Sequence, residues 1–443
     1  MCGVPHHALN TYVGKLLEAG KKVAICEQIE DPALAKGIVK REVVRVVSPG
    51  VVLDIDALDS STNNYLAAIV YGMEGIGLAY VDASTGVFRG CRANDFSQLR
   101  IELARIEPRE LVYPLRLTEK VEKLSTMTRE LAMRAADDAL FEPGPSREML
   151  ADLANPSELA PELTLAAGGL VGYLRQMQRT GTLQLEPLEV YELQNFLVLD
   201  ETAVSDLELF RTISGGQRKG SLLWLMDHTN TPMGARLLQR WLAYPLVDKD
   251  QLDRRLDAAG ELKDDSITRS DLRPVLKKLY DIERLSSRVV TRQANPRELR
   301  SLAMSMAELQ ALRAMLAACK CYELGEVARA LCELPEPLVE ALEFMREAAP
   351  SISREGGIFT PEYNDDLGEL LALTKGGREW LLKYEAELRE ATTITSLKIR
   401  FNKVFGYYIE VTRANLHLVP EEFIRKQTLV NAEALDLVES TID

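Results

Sequence analysis

The sequence is poor in aromatic residues, histidine and cysteine, and it has no long hydrophobic run. Aromatics make up 6% of its 443 residues, beside four histidines and six cysteines. No apolar run reaches the roughly 18 residues that a membrane-spanning helix needs. The N-terminus, MCGVPHHALN, has no basic stretch ahead of an apolar core and so does not read as a secretory signal. Scattered cysteines exclude a disulfide scaffold and fit a reducing compartment, so the chain is expected to be cytoplasmic. Positive charge is also short. Lys and Arg number 53 against 67 Asp and Glu, for a net charge of −14, which argues against wholesale coating of nucleic acid but leaves room for local patches. Residues 394–432 carry six basic against three acidic side chains, an excess of +3 that leaves −17 for the rest. What is plentiful is ordinary globular material, 46% hydrophobic and 27% charged, rich in the helix formers Leu, Ala, Glu and Arg, and long enough for several domains.

Four stretches can be told apart. Residues 1–47 read as helix, strand, strand. His7–Ala19 sets Leu9, Tyr12, Val13, Leu16 and Leu17 on one face with Gly20 as a stop, and Lys22–Glu27 and Val39–Val47 are β-branched runs around an Asp31-Pro32 turn. That is too little to bury a core, so it reads as the end of an α/β domain. Residues 52–160 mix strands and helices, with strands expected at Tyr65–Tyr71, Ile76–Asp82, Gly86–Gly90 and Glu110–Tyr113, a helix at Phe96–Arg105, and a linker rich in Pro, Gly, Ser and Asn over 141–160. Residues 162–393 are helical in spacing, beginning with Leu163–Arg179. They end in Tyr363–Thr392, a strut of about 45 Å at ~1.5 Å per residue. Residues 394–443 return to strand. Leu397, Ile399 and Phe401 alternate with Lys398, Arg400 and Asn402, and a turn leads into Tyr407–Thr412, which predicts an antiparallel hairpin with one buried and one basic face. The fold class expected is multidomain α+β.

Several patterns that could carry chemistry have plainer readings. Ser214–Ser221, SGGQRKGS, has two glycines at phosphate-loop spacing, but no lysine follows Gly220, so it reads as a glycine-rich turn before a helix. His6 and His7 have no further ligands nearby except the isolated Cys2, and His228 and His417 are single. Cys319-Lys320-Cys321 has one intervening residue, unlike metal knuckles and redox motifs. Asp82 ends an apolar strand, where a metal-dependent nuclease could hold an ion. No second or third acid stands out, and closing an Asx-type turn is the simpler role.

The positive signal is SLKIRFNKVFGYYIEV followed by EEFIRKQTLVNAE. Lys398 and Arg400 share a strand face, with Asn402 and Lys403 at the turn, and Arg425, Lys426, Gln427, Thr428 and Asn431 form a second polar and basic cluster. Point charges with neutral donors suit the DNA backbone, which such contacts grip without reading sequence. The same pattern also fits a solvated edge strand guarded by lysine and arginine.

Longer motifs bear on that choice. MCGVPHHALNTYVGKLLEAGKKVAICEQIEDP and KGIVKREVVRVVSPGVVLD, TPMGARLLQRWLAYPL at Thr231–Leu246, and SLKIRFNKVFGYYIEVTRANLHLVP with IRKQTLVNAE together resemble the bacterial MutS family of DNA mismatch-repair proteins, over nearly the whole chain and in the expected order. The resemblance implies the end of a mismatch-recognition domain at 1–47, a ribonuclease-H-like connector without nuclease activity at 52–160, a helical core and lever at 162–393, and part of a clamp at 394–443. It implies duplex DNA as partner, hence a cytoplasmic protein that is nucleoid-associated when on DNA, a homodimer, a MutL-type downstream repair protein, and ATP with magnesium in the full-length protein.

Departures from the family pattern shape the expectation for this chain. None of its ten phenylalanines begins the family's Phe-x-Glu mismatch-reading motif, no Walker-type ATPase follows the clamp, and ALDLVESTID stands where arginine, an aromatic and a long helix are usual. The arginines usual near Ala203–Asp206 are also missing. The chain is therefore expected to be an internal fragment, non-enzymatic and without cofactor or metal of its own, gripping DNA backbone through the clamp. The alternative is an interaction scaffold that docks a repair factor without binding DNA.

Overall fold

The computed structural model describes residues 3–5, 8–28, 39–52, 58–125, 131–178, 183–402, 406–420, 423–428 and 432–437. They form two compact units, Met1–Glu343 with Ala348–Gly356, and Phe344–Glu347 with Gly357–Asp443. The protein is multidomain and mixed α/β.

The first unit opens with α1 (Leu9–Glu18) and the antiparallel pair β1 (Val23–Gln28) and β2 (Arg41–Val47). Gly20, at φ 70°, takes the left-handed conformation that ends α1 and donates its N–H to the Leu17 carbonyl. Leu17, Ile25, Val47 and Val52 make a small core of their own. The expected Asp31-Pro32 turn lies outside the described residues.

A six-stranded sheet follows, built from β3 (Tyr65–Tyr71), β4 (Ile76–Asp82), β5 (Phe88–Ala93), α2 (Phe96–Ile106), β6 (Glu110–Pro114), α3 (Thr118–Ser125), β7 (Ala132–Ala136), α4 (Pro143–Leu150), α5 (Pro161–Met177) and β8 (Glu189–Val190). The strand order is β7-β6-β3-β4-β5-β8, with β3, β4 and β5 an antiparallel meander, β6 and β7 parallel to β3, and β8 parallel to β5. Both faces are covered, which is why β3 and β4 read as unbroken apolar runs rather than alternating ones. Val70, Ala79 and Val81 pack under Leu163, Leu170 and Leu174 of α5, while Leu78 and Tyr80 face Leu99 and Leu103 of α2.

Two expectations change here. The stretch 141–160 is not a bare linker: Pro143 begins α4, where a missing N–H costs nothing, and α4 packs on α5. The helix expected to open the helical stretch, α5, instead covers the sheet. Its approach depends on glycine. A Cβ on Gly77 would lie 2.1 Å from the Glu162 carbonyl oxygen, and one on Gly168 would lie 2.4 Å from Ser146. With β8 added, the sheet layer runs past residue 160.

The remainder of this unit is helical: α6 (Glu201–Asp206), α7 (Leu222–Met226), α8 (Pro232–Ala243), α9 (Lys249–Asp264), α10 (Ser266–Lys277), α11 (Ile282–Val290), α12 (Pro296–Ala317), α13 (Tyr322–Ala330) and α14 (Glu336–Phe344). Side-chain caps set many of the starts, among them Thr231, Asp248 and Asp281, with a full capping box at Asn295 and Glu298. Leu272, Val275, Leu309, Leu312, Leu316 and Leu324 join α10, α12 and α13 in one core.

The second unit holds α15 (Asp365–Thr392) and a four-stranded antiparallel sheet of β9 (Lys398–Asn402), β10 (Gly406–Thr412), β11 (Phe423–Thr428) and β12 (Ala432–Leu437), in the order β11-β12-β10-β9. The strut expected from the sequence is present as 28 residues, about 42 Å of helix, capped by the Asn364 side chain.

Candidate nucleic-acid interface

The β9–β10 hairpin is seated on the C-terminal end of α15. The helix stops at Thr393, which takes a left-handed φ of 57°, and Thr392 turns its hydroxyl back to the Leu388 carbonyl at 2.6 Å. Two charged side chains on the last turns then hold the departing strand. Arg389 Nε donates to the Leu397 carbonyl at 2.7 Å, and Glu385 Oε2 accepts the Ile399 N–H at 2.8 Å. Glu385 and Arg389 also bridge each other at 2.6 Å, one helical turn apart. Beneath them Ile394, Leu397, Ile409 and Val411 are buried, with Leu388, Ile399 and Phe423 packed alongside. Ser396 Oγ lies 3.0 Å from Thr412 Oγ1 and accepts from Asn415 Nδ2 at 2.8 Å, which ties the loop after β10 to the start of the hairpin.

Strand pairing decides the faces. Residues opposite one another in an antiparallel pair share a face, so Ile399 with Ile409 lies on the core side and Lys398 with Glu410 and Arg400 with Tyr408 on the other. Lys398 and Arg400 are exposed there. The sequence left out one feature of that face. Glu410 reaches diagonally to Arg400, Nε to Oε2 at 3.0 Å, so the basic face carries its own counter-charge. Arg425, also exposed, follows Phe423 by two positions and so falls on the core side of the sheet, not beside Lys398 and Arg400. Asn402 pairs with Gly406 at the hairpin end, Gln427 pairs with Ala434, Thr428 with Glu433, and Lys426 falls at the register shift between Arg425 and Gln427. Lys403 and Asn431 lie outside the described residues. The structure thus brings Lys398 and Arg400 together and sets Arg425 apart from them.

Asp82 and Ser214–Ser221 are absorbed by local structure, whereas Cys2, His6 and His7 lie outside the described residues. Asp82 is fully buried; its Oδ1 accepts the Ser84 N–H at 2.9 Å and hydroxyl at 2.6 Å, and its Oδ2 accepts the Asn64 N–H at 3.0 Å, the Asx-type turn expected of it. Among the described residues no group of three or more His, Cys, Asp or Glu could hold a metal ion. In Ser214–Ser221, Arg218 is committed to Asp227 at 2.9 Å and to the Ser61 hydroxyl at 2.8 Å, and Ser221 caps the five-residue α7. That donor set does not fit a nucleotide phosphate with magnesium. No described helix is long and apolar enough to cross a membrane.

These features define a class: a multidomain mixed α/β protein with a covered mixed sheet, a helical body, and a small antiparallel sheet seated on the end of a long helix. Comparison with known proteins gives the family. Residues 202–433 match the model for MutS domain III, residues 1–56 that for MutS domain I, and residues 64–189 that for MutS domain II. Over 98% of its length the chain is 40% identical to the DNA mismatch repair protein MutS of Myxococcus xanthus, covering 50% of that protein. It is 39% identical to those of Desulfosudis oleivorans and Symbiobacterium thermophilum, again over 98% of the chain and covering 51% of each. The chain belongs to the MutS family, and it spans about half the length of the curated relatives it matches.

Proposed function

We propose that this chain supplies the scaffold and DNA-backbone clamp of a protein that recognises mispaired bases in duplex DNA and starts their repair. The observation that carries the reading is the exposed Lys398–Arg400 face, on a hairpin fixed to the end of a 28-residue helix by Glu385 and Arg389. A positive face held by a rigid support can take phosphate contacts without rearranging, and such contacts fix position while carrying no base information. Asn402, Lys403, Arg425, Lys426, Gln427, Thr428 and Asn431 complete the proposed contact set, with Arg425 reaching the duplex from the other side of the small sheet.

In this reading 1–47 is the end of a mismatch-recognition domain, and the connector begins at 52. Because α5 and β8 complete its sheet, the connector extends to about residue 189 rather than 160. Its antiparallel meander, flanked by parallel strands on the β3 side, supports a ribonuclease-H-like fold. The commitment of Asp82 to a turn supports a connector without nuclease activity. The helical core and lever would run to 393 and the clamp from 394. ATP and magnesium, a homodimer and a MutL-type partner belong to the longer protein, and this chain is non-enzymatic by itself.

The test is an anisotropy titration of a labelled duplex of about 30 base pairs, perfect and G·T-mismatched, at several salt concentrations. With about four phosphates contacted, log affinity should fall against log salt with a slope near −3.6, equally for both duplexes. A slope near zero, or no binding at low salt, would refute the clamp and leave a docking scaffold.

A further inference from the structure

The motif Thr231–Leu246 folds as α8 with its flanking residues, and nothing in a DNA grip explains it. Its two ends are fastened to different parts of the sheet layer. Near the N-terminus, Arg236 is almost fully buried. It forms a two-pronged pair with Asp281, at 2.7 and 2.8 Å, adds Glu283 at 2.6 Å, and donates to the Ser60 carbonyl at 2.8 Å. Asp281 is the cap of α11, and two residues beyond Ile282 the fully buried Arg284 donates to the Asp59 and Thr62 carbonyls at 3.0 and 2.8 Å. Arg218 adds the Ser61 hydroxyl at 2.8 Å. Three arginines of the helical body therefore grip Asp59–Thr62, the four residues that lead into β3.

At the other end of α8, about 12 Å along the helix axis from Arg236, Tyr244 enters a buried box. Its hydroxyl donates to Glu102 Oε1 on α2, and Tyr191 donates to the same oxygen at 2.5 Å. The Tyr244 ring meets Tyr191 and Phe196 edge-on at 5.9 and 5.2 Å, and the Arg105 guanidinium lies 5.5 Å from its centroid. The backbone closes the joint. Leu197 N–H donates to the Pro245 carbonyl at 2.8 Å, and Arg105 donates to the Leu197 carbonyl at 2.6 Å. This second grip holds the segment that follows β8.

We infer that α8 is a tie-bar. Arg236 and Tyr244 are positioning residues that fasten the sheet layer to the helical body at two separated points, one before its first strand and one after its last, so that the two move as one piece. One joint would act as a hinge, whereas two fix the angle. The chemistry suits the purpose. Arginine satisfies several acceptors at once from a planar fork, and removing one partner of a buried pair leaves the rest uncompensated. A loss at either end is therefore felt locally, while the other end keeps the layers in register.

The test uses the full chain, with hydrogen exchange read by mass spectrometry and thermal unfolding read by calorimetry. Tyr244→Phe removes only a hydroxyl, and should raise exchange at Phe196–Leu197 by about tenfold or more while Asp59–Thr62 stays protected. Arg236→Lys keeps the charge but loses the fork, and should raise exchange at Ser61 and Thr62 alone. The double variant should split one cooperative transition of this unit into two, with β3 and β4 still protected in the cooler part of the range. Three outcomes would overturn the tie-bar: separate transitions already in the unaltered chain, a single transition kept by the double variant, or unchanged exchange at Leu197 in Tyr244→Phe.

Discussion

Glu410→Gln isolates the electrostatic part of the proposed clamp. On the outer face of the hairpin Lys398 and Arg400 carry two positive charges and Glu410 one negative, and the Arg400–Glu410 bridge at 3.0 Å has side chains 53% and 23% exposed. A bridge so open to water contributes about 1 kcal/mol or less, so the hairpin should survive its loss. The amide keeps the shape and removes the counter-charge, and Arg400 becomes available to one more phosphate. At about 0.9 per contact, the slope of log affinity against log salt should steepen from near −3.6 to near −4.5. Across a fourfold change in salt, the variant's affinity should fall by an extra factor of about 3.5 relative to the unaltered chain. The assay is the same anisotropy titration at four or more salt concentrations. Arg400→Ala in the Glu410→Gln background should abolish the gain, with a slope no steeper than the starting value of about −3.6. An unchanged slope in Glu410→Gln, or a gain that persists without Arg400, would mean that this face does not meet DNA.

Leu397→Ala should cost the second unit about 2–5 kcal/mol, because Leu397 is fully buried between the hairpin and α15, and should weaken duplex binding at unchanged net charge. Denaturant unfolding followed by the Trp380 fluorescence of that helix reads it. Gly77→Ala drives a methyl group to 2.1 Å from the Glu162 carbonyl oxygen, and α5 must lift off the sheet. The expected loss is about 1–3 kcal/mol or more, seen as a lower melting temperature of the first unit with the transition of the second unit unmoved. Burial pushes the Tyr80 hydroxyl up to about 12, against the pull of Arg89, and raises Tyr191 and Tyr244 well above the ordinary tyrosine value. Groups with raised folded values contribute stability that is whole below about pH 10 and is lost as pH rises through 12, about 3 kcal/mol for Tyr80 alone. Phenolate absorbance and stability measured together over that range should show the loss, and Tyr80→Phe should remove the share that belongs to Tyr80.

What could be read from the sequence was what neighbouring residues decide. The alternation Leu397, Lys398, Ile399, Arg400 sets the two faces of the hairpin, because a period of two leaves no other way to bury Leu397 and Ile399 together, but Phe401, expected on the buried face, is 62% exposed. Tyr65–Tyr71 and Ile76–Asp82 were found to the residue because a strand buried on both faces is an unbroken apolar run. Ala132–Ala136 was missed: Ala-Met-Arg-Ala-Ala has no β-branched residue and becomes a strand only because β6 offers it a parallel partner. Glu189–Val190 is too short to carry any period. The stretch 141–160 looked like a linker by composition, yet Pro143 sits at the one helical position where proline is welcome.

The same division between local and distant information runs through the site. That Lys398 and Arg400 share a face follows from their spacing, but that Glu410 halves their net charge depends on the register of β10 against β9, set by a turn whose length the sequence gives and whose geometry it does not. Arg425 belongs by sequence to a second polar and basic cluster, whose side of the sheet the sequence does not give. The sheet places it on the core side, since Phe423 two positions earlier is held by the buried cluster. Arg236 is the limiting case. Nothing local in MGARLLQRWL hints that Asp281, 45 positions on, and the Ser60 carbonyl, 176 positions back, close around it. Charge in this chain is therefore legible as a pattern only where strand periodicity fixes the side it faces. Where charge joins distant segments it acts through partners that only the fold brings near.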